Sequence, residues 1–141
     1  MMHEAADTLR LVIDTNALVA ARFSPEGAAS RLLDWCVEGR LQAVVSDAIE
    51  RENRRILQRV RPSSDFLQRL DLFYRTALRA EGGPRLSIVE DPADNRYLEC
   101  ALAGHASWIV SSDRHLLEHD GFQGLRICKA GQLLRELLDS A

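Results

Sequence analysis

Four acidic residues occupy corresponding places in the sequence, each close to the end of a predicted strand. Asp14 directly follows the apolar run 11–13, and Asp113 comes after a later apolar run. Asp94 stands at the start of the helix after the third predicted strand, and Glu52 lies in the first turns of the helix after the second. Open α/β sheets bind their ligands at the carboxyl ends of their strands, so we expect the four side chains to converge there.

Four carboxylates gathered in this way would suit a divalent metal ion. Carboxylates that pack together repel one another and raise each other's pKa, and a cation removes this cost. Because the set offers oxygen ligands without His or Cys, it favours Mg²⁺ or Mn²⁺ over Zn²⁺. Such a site can activate water and stabilise a phosphoryl transition state. For Asp14 there is also a structural alternative, since Asp, Thr and Asn are all good N-caps for the next helix.

The helix that carries Glu52 also carries a dense run of arginines. Glu52 flanks the apolar face of this helix, and Arg55 and Arg59 follow on the same flank. One interpretation is a surface salt bridge worth a few tenths of a kcal/mol. The other is a metal-binding carboxylate beside basic residues that hold a nucleic-acid backbone. Glu50 is the rival acid on this helix, but it faces more nearly away from the apolar side.

Two further patterns, at Asp91 and at 115–119, each have more than one interpretation. Asp91 is an alternative to Asp94 as a metal ligand, but a turn before Pro92 is the favoured interpretation of Asp91. The segment 115–119 has the HxxEH spacing of some zinc peptidases. A turn at 120–121 ends that helix at once, so a surface helix is the favoured interpretation.

The elements that must position these residues alternate along the chain. Apolar, largely β-branched runs predict strands at 11–13, 42–45, 86–89, 107–110 and 125–128. Helical periodicity and caps predict helices at 17–23, 28–38, 47–60, 65–80, 94–102 and 130–138, with a short helical segment after Asp113. Strands alternating with helices indicate an α/β fold with a parallel sheet.

Composition places the chain among ordinary globular proteins. Its 141 residues predict a single domain over 1–141, and the net charge of -3 argues against a surface uniformly coated for nucleic acid. Cys36, Cys100 and Cys128 form no paired motif, as expected in a reducing cytoplasm. The sequence shows no membrane-length apolar run and no export signal in its first ten residues.

Taken in order, four motifs resemble the PIN-domain family, specifically the toxin-like PIN proteins of bacterial toxin–antitoxin systems. Each motif alone is weak, but four in order at matching spacing are specific, and the resemblance runs from about residue 9 to about residue 138. The motifs are Val12-Ile13-Asp14-Thr15-Asn16, Ser46 to Leu57 with Glu52, Asp91-Pro92-Ala93-Asp94-Asn95 with Tyr97-Leu98 and Ala101-Leu102-Ala103, and Ile109-Val110-Ser111-Ser112-Asp113 with Leu116-Leu117.

The resemblance implies a fold, a cofactor and a reaction. The fold is a three-layer α/β/α arrangement around a five-stranded parallel sheet in the order 3-2-1-4-5. The cofactor is Mg²⁺ or Mn²⁺, and the reaction is cleavage of single-stranded RNA that leaves a 5′-phosphate. Matched by motif, the catalytic and metal-binding acids are Asp14, Glu52, Asp94 and Asp113, with Asn16 and Ser111 as supporting residues. Many members have Thr at the position of Ser111, so the hydroxyl is kept.

Partners also follow from the resemblance. They are an RNA substrate, with Arg55 and Arg59 on its backbone, an antitoxin protein that silences the enzyme, and a second copy in a homodimer. Two alternatives remain open: a PIN-type nuclease in RNA processing outside any toxin system, and a catalytically silent PIN fold that acts as a binding module.

Overall fold

Strands and helices alternate along the chain, as the sequence pattern predicts. The structure, a computed structural model, describes residues 8–83 and 85–140. The strands are β1 (Arg10–Ile13), β2 (Gln42–Val45), β3 (Leu78–Arg79), β4 (Trp108–Val110) and β5 (Arg126–Cys128). The helices are α1 (Thr15–Phe23), α2 (Ala28–Val37), α3 (Asp47–Leu57), α4 (Ser64–Thr76), α5 (Pro92–Ala103), α6 (Arg114–Leu117) and α7 (Ala130–Asp139).

The strands form one parallel sheet in the order β3-β2-β1-β4-β5. In the central strand β1, Leu11 is in register with Ala43 of β2 and with Trp108 of β4. The predicted strand order is therefore confirmed. Because the order reverses between β1 and β4, the loops after these two strands diverge and leave a crevice at the carboxyl edge.

Both faces of the sheet are covered. Leu11 and Val12 are neighbours on β1 and point to opposite faces, yet both are fully buried. Ile109 and Val110 on β4 are buried in the same way. This explains why the strands read as continuous apolar runs instead of alternating patterns, and it fixes the sheet as the middle of three layers.

The position of the third strand was predicted wrongly. The predicted helix 65–80 ends at Thr76, and β3 follows at once by pairing Leu78 with Val44 of β2. Ala77 is already extended, with ψ of 144°. The helical periodicity ran on through Leu78 because an edge strand of two residues is too short to show a period of its own.

The apolar segment 86–89, predicted as a strand, is instead an irregular segment held by one side chain. The Asn95 side-chain oxygen accepts hydrogen bonds from the backbone N–H groups of Ile88 and Val89, both at 2.9 Å. Its amide nitrogen donates to the Val89 carbonyl at 2.7 Å. Asn95 thus satisfies the backbone groups that a strand would have paired, and Val89 is buried as an anchor.

Membrane insertion through a helix is not supported by the described part of the chain. None of the helices within 8–83 and 85–140 combines the length and the apolar character that a bilayer span requires.

Candidate active site

Asp14 lies at the carboxyl end of β1 and is 2% exposed. One of its carboxylate oxygens accepts a hydrogen bond from the backbone N–H of Ala17 at 2.8 Å, so the residue caps α1. The other oxygen accepts a hydrogen bond from the Ser111 hydroxyl at the end of β4. The capping role proposed from the sequence is therefore real, and it holds the carboxylate in the crevice between β1 and β4.

A cleft of about 220 Å³ opens above this carboxylate. It collects acids from four separate segments of the chain, because the junction of β1 with α1, the helix α3, the start of α5 and the loop after β4 all meet there. We call this the acidic cleft. It is lined by Asp14, Thr15, Asn16, Glu52, Ile56, Asp91, Ala93, Asp94, Tyr97 and Asp113.

The local sequence explains why so many acids point into one cleft. Asp91 and Asp113 are N-caps, like Asp14, and accept hydrogen bonds from Ala93 N at 2.9 Å and His115 N at 2.8 Å. The helix N-termini at this edge carry partial positive charge, which favours carboxylates in their first turns. Asp91 is therefore both the turn residue expected before a proline and a fifth acid of the cleft.

Asp94 is the carboxylate most strongly perturbed by its neighbours. Burial, followed by repulsion from Asp113, Asp91 and Asp14, raises the pKa of Asp94 to about 6 from an ordinary value of 3.8. Repulsion from Asp113 is the largest of these charge effects. Burial also raises the pKa of Asp14, with a further contribution from Asp113, against the hydrogen bonds from Ser111 and Ala17.

These shifts predict the pH dependence of stability in EDTA. Because the folded pKa of Asp94, about 6, exceeds its ordinary 3.8, its neutral form is favoured by folding. The contribution of Asp94 to stability is therefore complete below about pH 4 and is lost as the pH rises through about 6. We expect the difference in free energy of unfolding between wild type and Asp94→Asn to follow this curve, with the variant gaining on wild type towards neutral pH. Urea denaturation from acid to neutral pH measures it, and a constant difference would contradict the repulsion among these acids.

Glu52 lies at the border of the acidic cleft and is paired with an arginine of its own helix. Arg55 donates hydrogen bonds to both Glu52 oxygens, at 2.7 and 3.2 Å. This pairing, with the nearby charges of Arg96 and Arg59, lowers the pKa of Glu52. The salt bridge considered from the sequence is present, yet Glu52 also lines the acidic cleft.

The rival glutamate on α3 is engaged elsewhere. Glu50 accepts a hydrogen bond from Arg54 at 2.7 Å and also pairs with Arg79. It is not among the residues that line the acidic cleft. The structure thus separates the two glutamates, and Glu52 is the one that faces Asp14 and Asp94.

The two supporting residues differ in their contacts. Ser111 connects two of the acids, because its hydroxyl donates to Asp14 and accepts from the backbone N–H of Asp113 at 2.9 Å. Asn16 lines the cleft but is exposed, and its backbone N–H contributes to holding down the pKa of Asp14. Ser111 therefore fixes the spacing of the acids, while the Asn16 side chain faces solvent.

A buried polar chain beneath the cleft was not anticipated. The Thr15 hydroxyl bonds to the Asn53 side-chain oxygen at 2.5 Å and to the Tyr97 hydroxyl at 2.7 Å. Asn53 in turn donates to the Tyr74 hydroxyl at 2.9 Å. The chain joins α1, α3, α4 and α5 and holds two residues of the cleft wall. The sequence offered one signal for it, a polar Asn53 on the apolar side of an amphipathic helix.

The cleft fits a divalent cation in donor type and in charge. Its acids supply only oxygen ligands, and burial together with repulsion among the acids raises the pKa of Asp14 and of Asp94. Within residues 8–83 and 85–140, however, no three His, Cys, Asp or Glu side chains already stand as a metal-ligating group. The HxxEH segment is excluded as a helical zinc motif, because α6 ends at Leu117.

Two comparisons with known proteins found a related family and a similar fold. A sequence model of the PIN domain matches residues 10–115 of the chain. The crystal structure of PAE2754 from Pyrobaculum aerophilum is similar, with a TM-score of 0.58 and 19% sequence identity. The match covers 90% of this chain and 88% of that chain. At this identity, the likeness shows a common fold. No curated protein matches the chain.

Proposed function

The chain belongs to the PIN-domain family, and from that premise we propose that it is a metal-dependent endoribonuclease that cleaves single-stranded RNA. PIN domains are usually nucleases, and they generally use divalent metals. The observation that carries the proposal for this chain is the acidic cleft, which gathers five carboxylates and in which burial and the acids around it raise the pKa of Asp94 to about 6. Carboxylates packed at such a cost are typical of functional sites.

In the proposed mechanism, Asp14, Asp94 and Asp113 hold the metal, and Glu52 either joins them or orients the attacking water. Bound Mg²⁺ or Mn²⁺ would lower the pKa of water and offset the charge that develops on the phosphoryl group. Ser111 positions Asp14 by its hydrogen bond. Because the pKa of Asp94 is raised to about 6 in the metal-free protein, metal binding near that pH should release protons from Asp94.

The first expected result is metal-dependent cleavage. A 5′-labelled single-stranded RNA should be cut with Mg²⁺ or Mn²⁺, should remain intact in EDTA, and should yield 5′-phosphate ends. Glu52→Gln should lose most activity, whereas Glu50→Gln should keep it, because only Glu52 lines the acidic cleft. Equal cleavage in EDTA would remove the metal mechanism. Binding of RNA without cleavage under any metal would favour the binding-module alternative.

We propose further that the nuclease is the toxin of a toxin–antitoxin pair, acting in the cytoplasm. The support is the order and spacing of the four sequence motifs, which resemble that branch of the family. Expression in a bacterial host should arrest growth, and coexpression with the product of a neighbouring small reading frame should form a complex and restore growth. An active nuclease that leaves growth unchanged would favour RNA processing outside any toxin system.

A further inference from the structure

A second cleft adjoins the acidic cleft and has the opposite charge. It has a volume of about 520 Å³ and lies between α3 and α5. Glu52 lines both clefts, so the two clefts meet at this side chain. A nucleic-acid strand that leaves the acidic cleft past Glu52 would enter the second cleft. We call it the basic cleft. Its lining residues are Ala48, Arg51, Glu52, Arg54, Arg55, Gln58 and Arg96.

The four arginines of the basic cleft are not equivalent. Arg54 is held by Glu50 at 2.7 Å and by Asp71 at 3.0 Å, and it lies over the Tyr74 ring. Arg55 is held by Glu52. Arg51 and Arg96 are exposed, and neither forms an ion pair with any residue in the described ranges. The basic cleft thus presents two guanidinium groups, one from each helix, that form no ion pair with a described residue; the charge of Arg96 acts on Glu52 from a distance.

We propose that Arg51 and Arg96 bind a backbone phosphate of the nucleic acid strand next to the one in the acidic cleft. The inference rests on the proposed function and adds the path of the substrate to it. A guanidinium donates paired hydrogen bonds to phosphate oxygens, and no internal salt bridge must break for either residue to do so. Arg96 comes from a helix that the sequence did not mark as basic, and only the fold brings it opposite Arg51.

The pair expected from the sequence, Arg55 and Arg59, stays a prediction, and its contacts differ from those of Arg51 and Arg96. Arg55 lines the basic cleft, but its guanidinium is occupied by Glu52. The charge of Arg59 helps to lower the pKa of Glu52, but Arg59 does not line the basic cleft. A phosphate in the basic cleft would compete with Glu52 for Arg55 and so free that carboxylate. For this reason Arg55 is unsuited to a test of phosphate binding, since its replacement also changes the candidate metal ligand.

The test is the salt dependence of RNA binding without metal. A short fluorescein-labelled single-stranded RNA is titrated with protein in EDTA at about 50 to 200 mM salt, and anisotropy gives the affinity. Arg51→Gln and Arg96→Gln should each lower the log–log slope by about 0.7, the value for one phosphate contact on a single strand. The double variant should lower it by about twice that and weaken binding at low salt by roughly tenfold.

Matched controls come from exposed arginines on two helices that line neither cleft. Arg75 on α4 and Arg135 on α7 are exposed and line neither cleft. Arg75→Gln and Arg135→Gln remove the same charge and should leave the slope unchanged. If Arg51→Gln and Arg96→Gln behave like these controls, the proposal is overturned. It is also overturned if polyglutamate competes as well as unlabelled RNA, because the cleft would then suit an acidic protein segment.

The failure of this inference is distinguishable from failure of the proposed nuclease. Binding is measured in EDTA, so it does not depend on catalysis. Metal-dependent cleavage together with an unchanged slope in both variants would overturn only the phosphate site. A reduced slope in a protein that cuts no RNA with Mg²⁺ or Mn²⁺ would support the site and overturn the nuclease.

Discussion

Replacing Asp14 by Asn should abolish RNA cleavage and leave the metal-free protein at least as stable as wild type. Asp14 is 2% exposed and its pKa is raised by burial and by Asp113. At neutral pH its charge therefore opposes folding, and removing it should raise the free energy of unfolding by about 0.5–2 kcal/mol. The Asn oxygen can still accept from Ala17 N, so the cap on α1 survives.

The same replacement removes a candidate metal ligand from the centre of the acidic cleft. In many metal sites, replacing a residue that only hydrogen-bonds a metal ligand already lowers metal affinity or activity about 10–100-fold. Replacing a ligand itself should therefore lower the cleavage rate by at least about a hundredfold. The rise in melting temperature produced by Mn²⁺ should shrink as well, because a ligand stabilises only the state it binds.

Melting curves in EDTA and in Mn²⁺ test both parts of this prediction. Asp65→Asn is the control, because it removes a carboxylate from the first turn of α4, outside the cleft. It should keep the full Mn²⁺ shift and full activity. If Asp14→Asn also keeps both, Asp14 is only a helix cap and the proposed site is wrong.

Replacing Asn53 by Ala should cause the largest loss of stability among these variants. Asn53 is 1% exposed and bonds to the hydroxyl groups of Thr15 and Tyr74. The change deletes two buried hydrogen bonds and leaves a cavity. It also leaves the Tyr74 hydroxyl without the Asn53 hydrogen bond, in a residue that is only 2% exposed. We expect a loss of about 2–4 kcal/mol in the free energy of unfolding, measured by urea denaturation.

A double-mutant cycle separates the free-energy cost of the unpaired Tyr74 hydroxyl from the cost of the cavity. Tyr74→Phe removes the group that Asn53→Ala leaves without a partner, so the double variant should be less destabilised than the sum of the single changes. Strict additivity would mean that the Asn53–Tyr74 bond, at 2.9 Å, contributes no coupling. Activity of the Asn53 variant should also fall, because Thr15 and Tyr97 in the cleft wall lose their support from α3.

The sequence determined much of the framework by itself. Fully buried strands read as apolar runs, and the acids that end them sit where parallel strands meet, so a parallel α/β sheet and the gathering of Asp14, Glu52, Asp94 and Asp113 in one region could be predicted. These features are local signals of burial and capping. They fail where an element is too short to carry a period, as at β3, or where a side chain replaces backbone pairing, as with Asn95 at 86–89. The order of the strands was implied by the resemblance of the four motifs to the PIN-domain family.

Only the tertiary structure decided how the polar side chains are partnered. Side-chain rotamers and neighbouring helices decide whether Arg55 is free for a phosphate or bound to Glu52. They also decide which glutamate of α3 faces the acids. The Asn53 network and the position of Arg96 opposite Arg51 join residues far apart in the chain. Hydrogen bonds and ion pairs act over a few ångströms in space, whereas the periodicity of a sequence reports only which side of its own element a residue occupies.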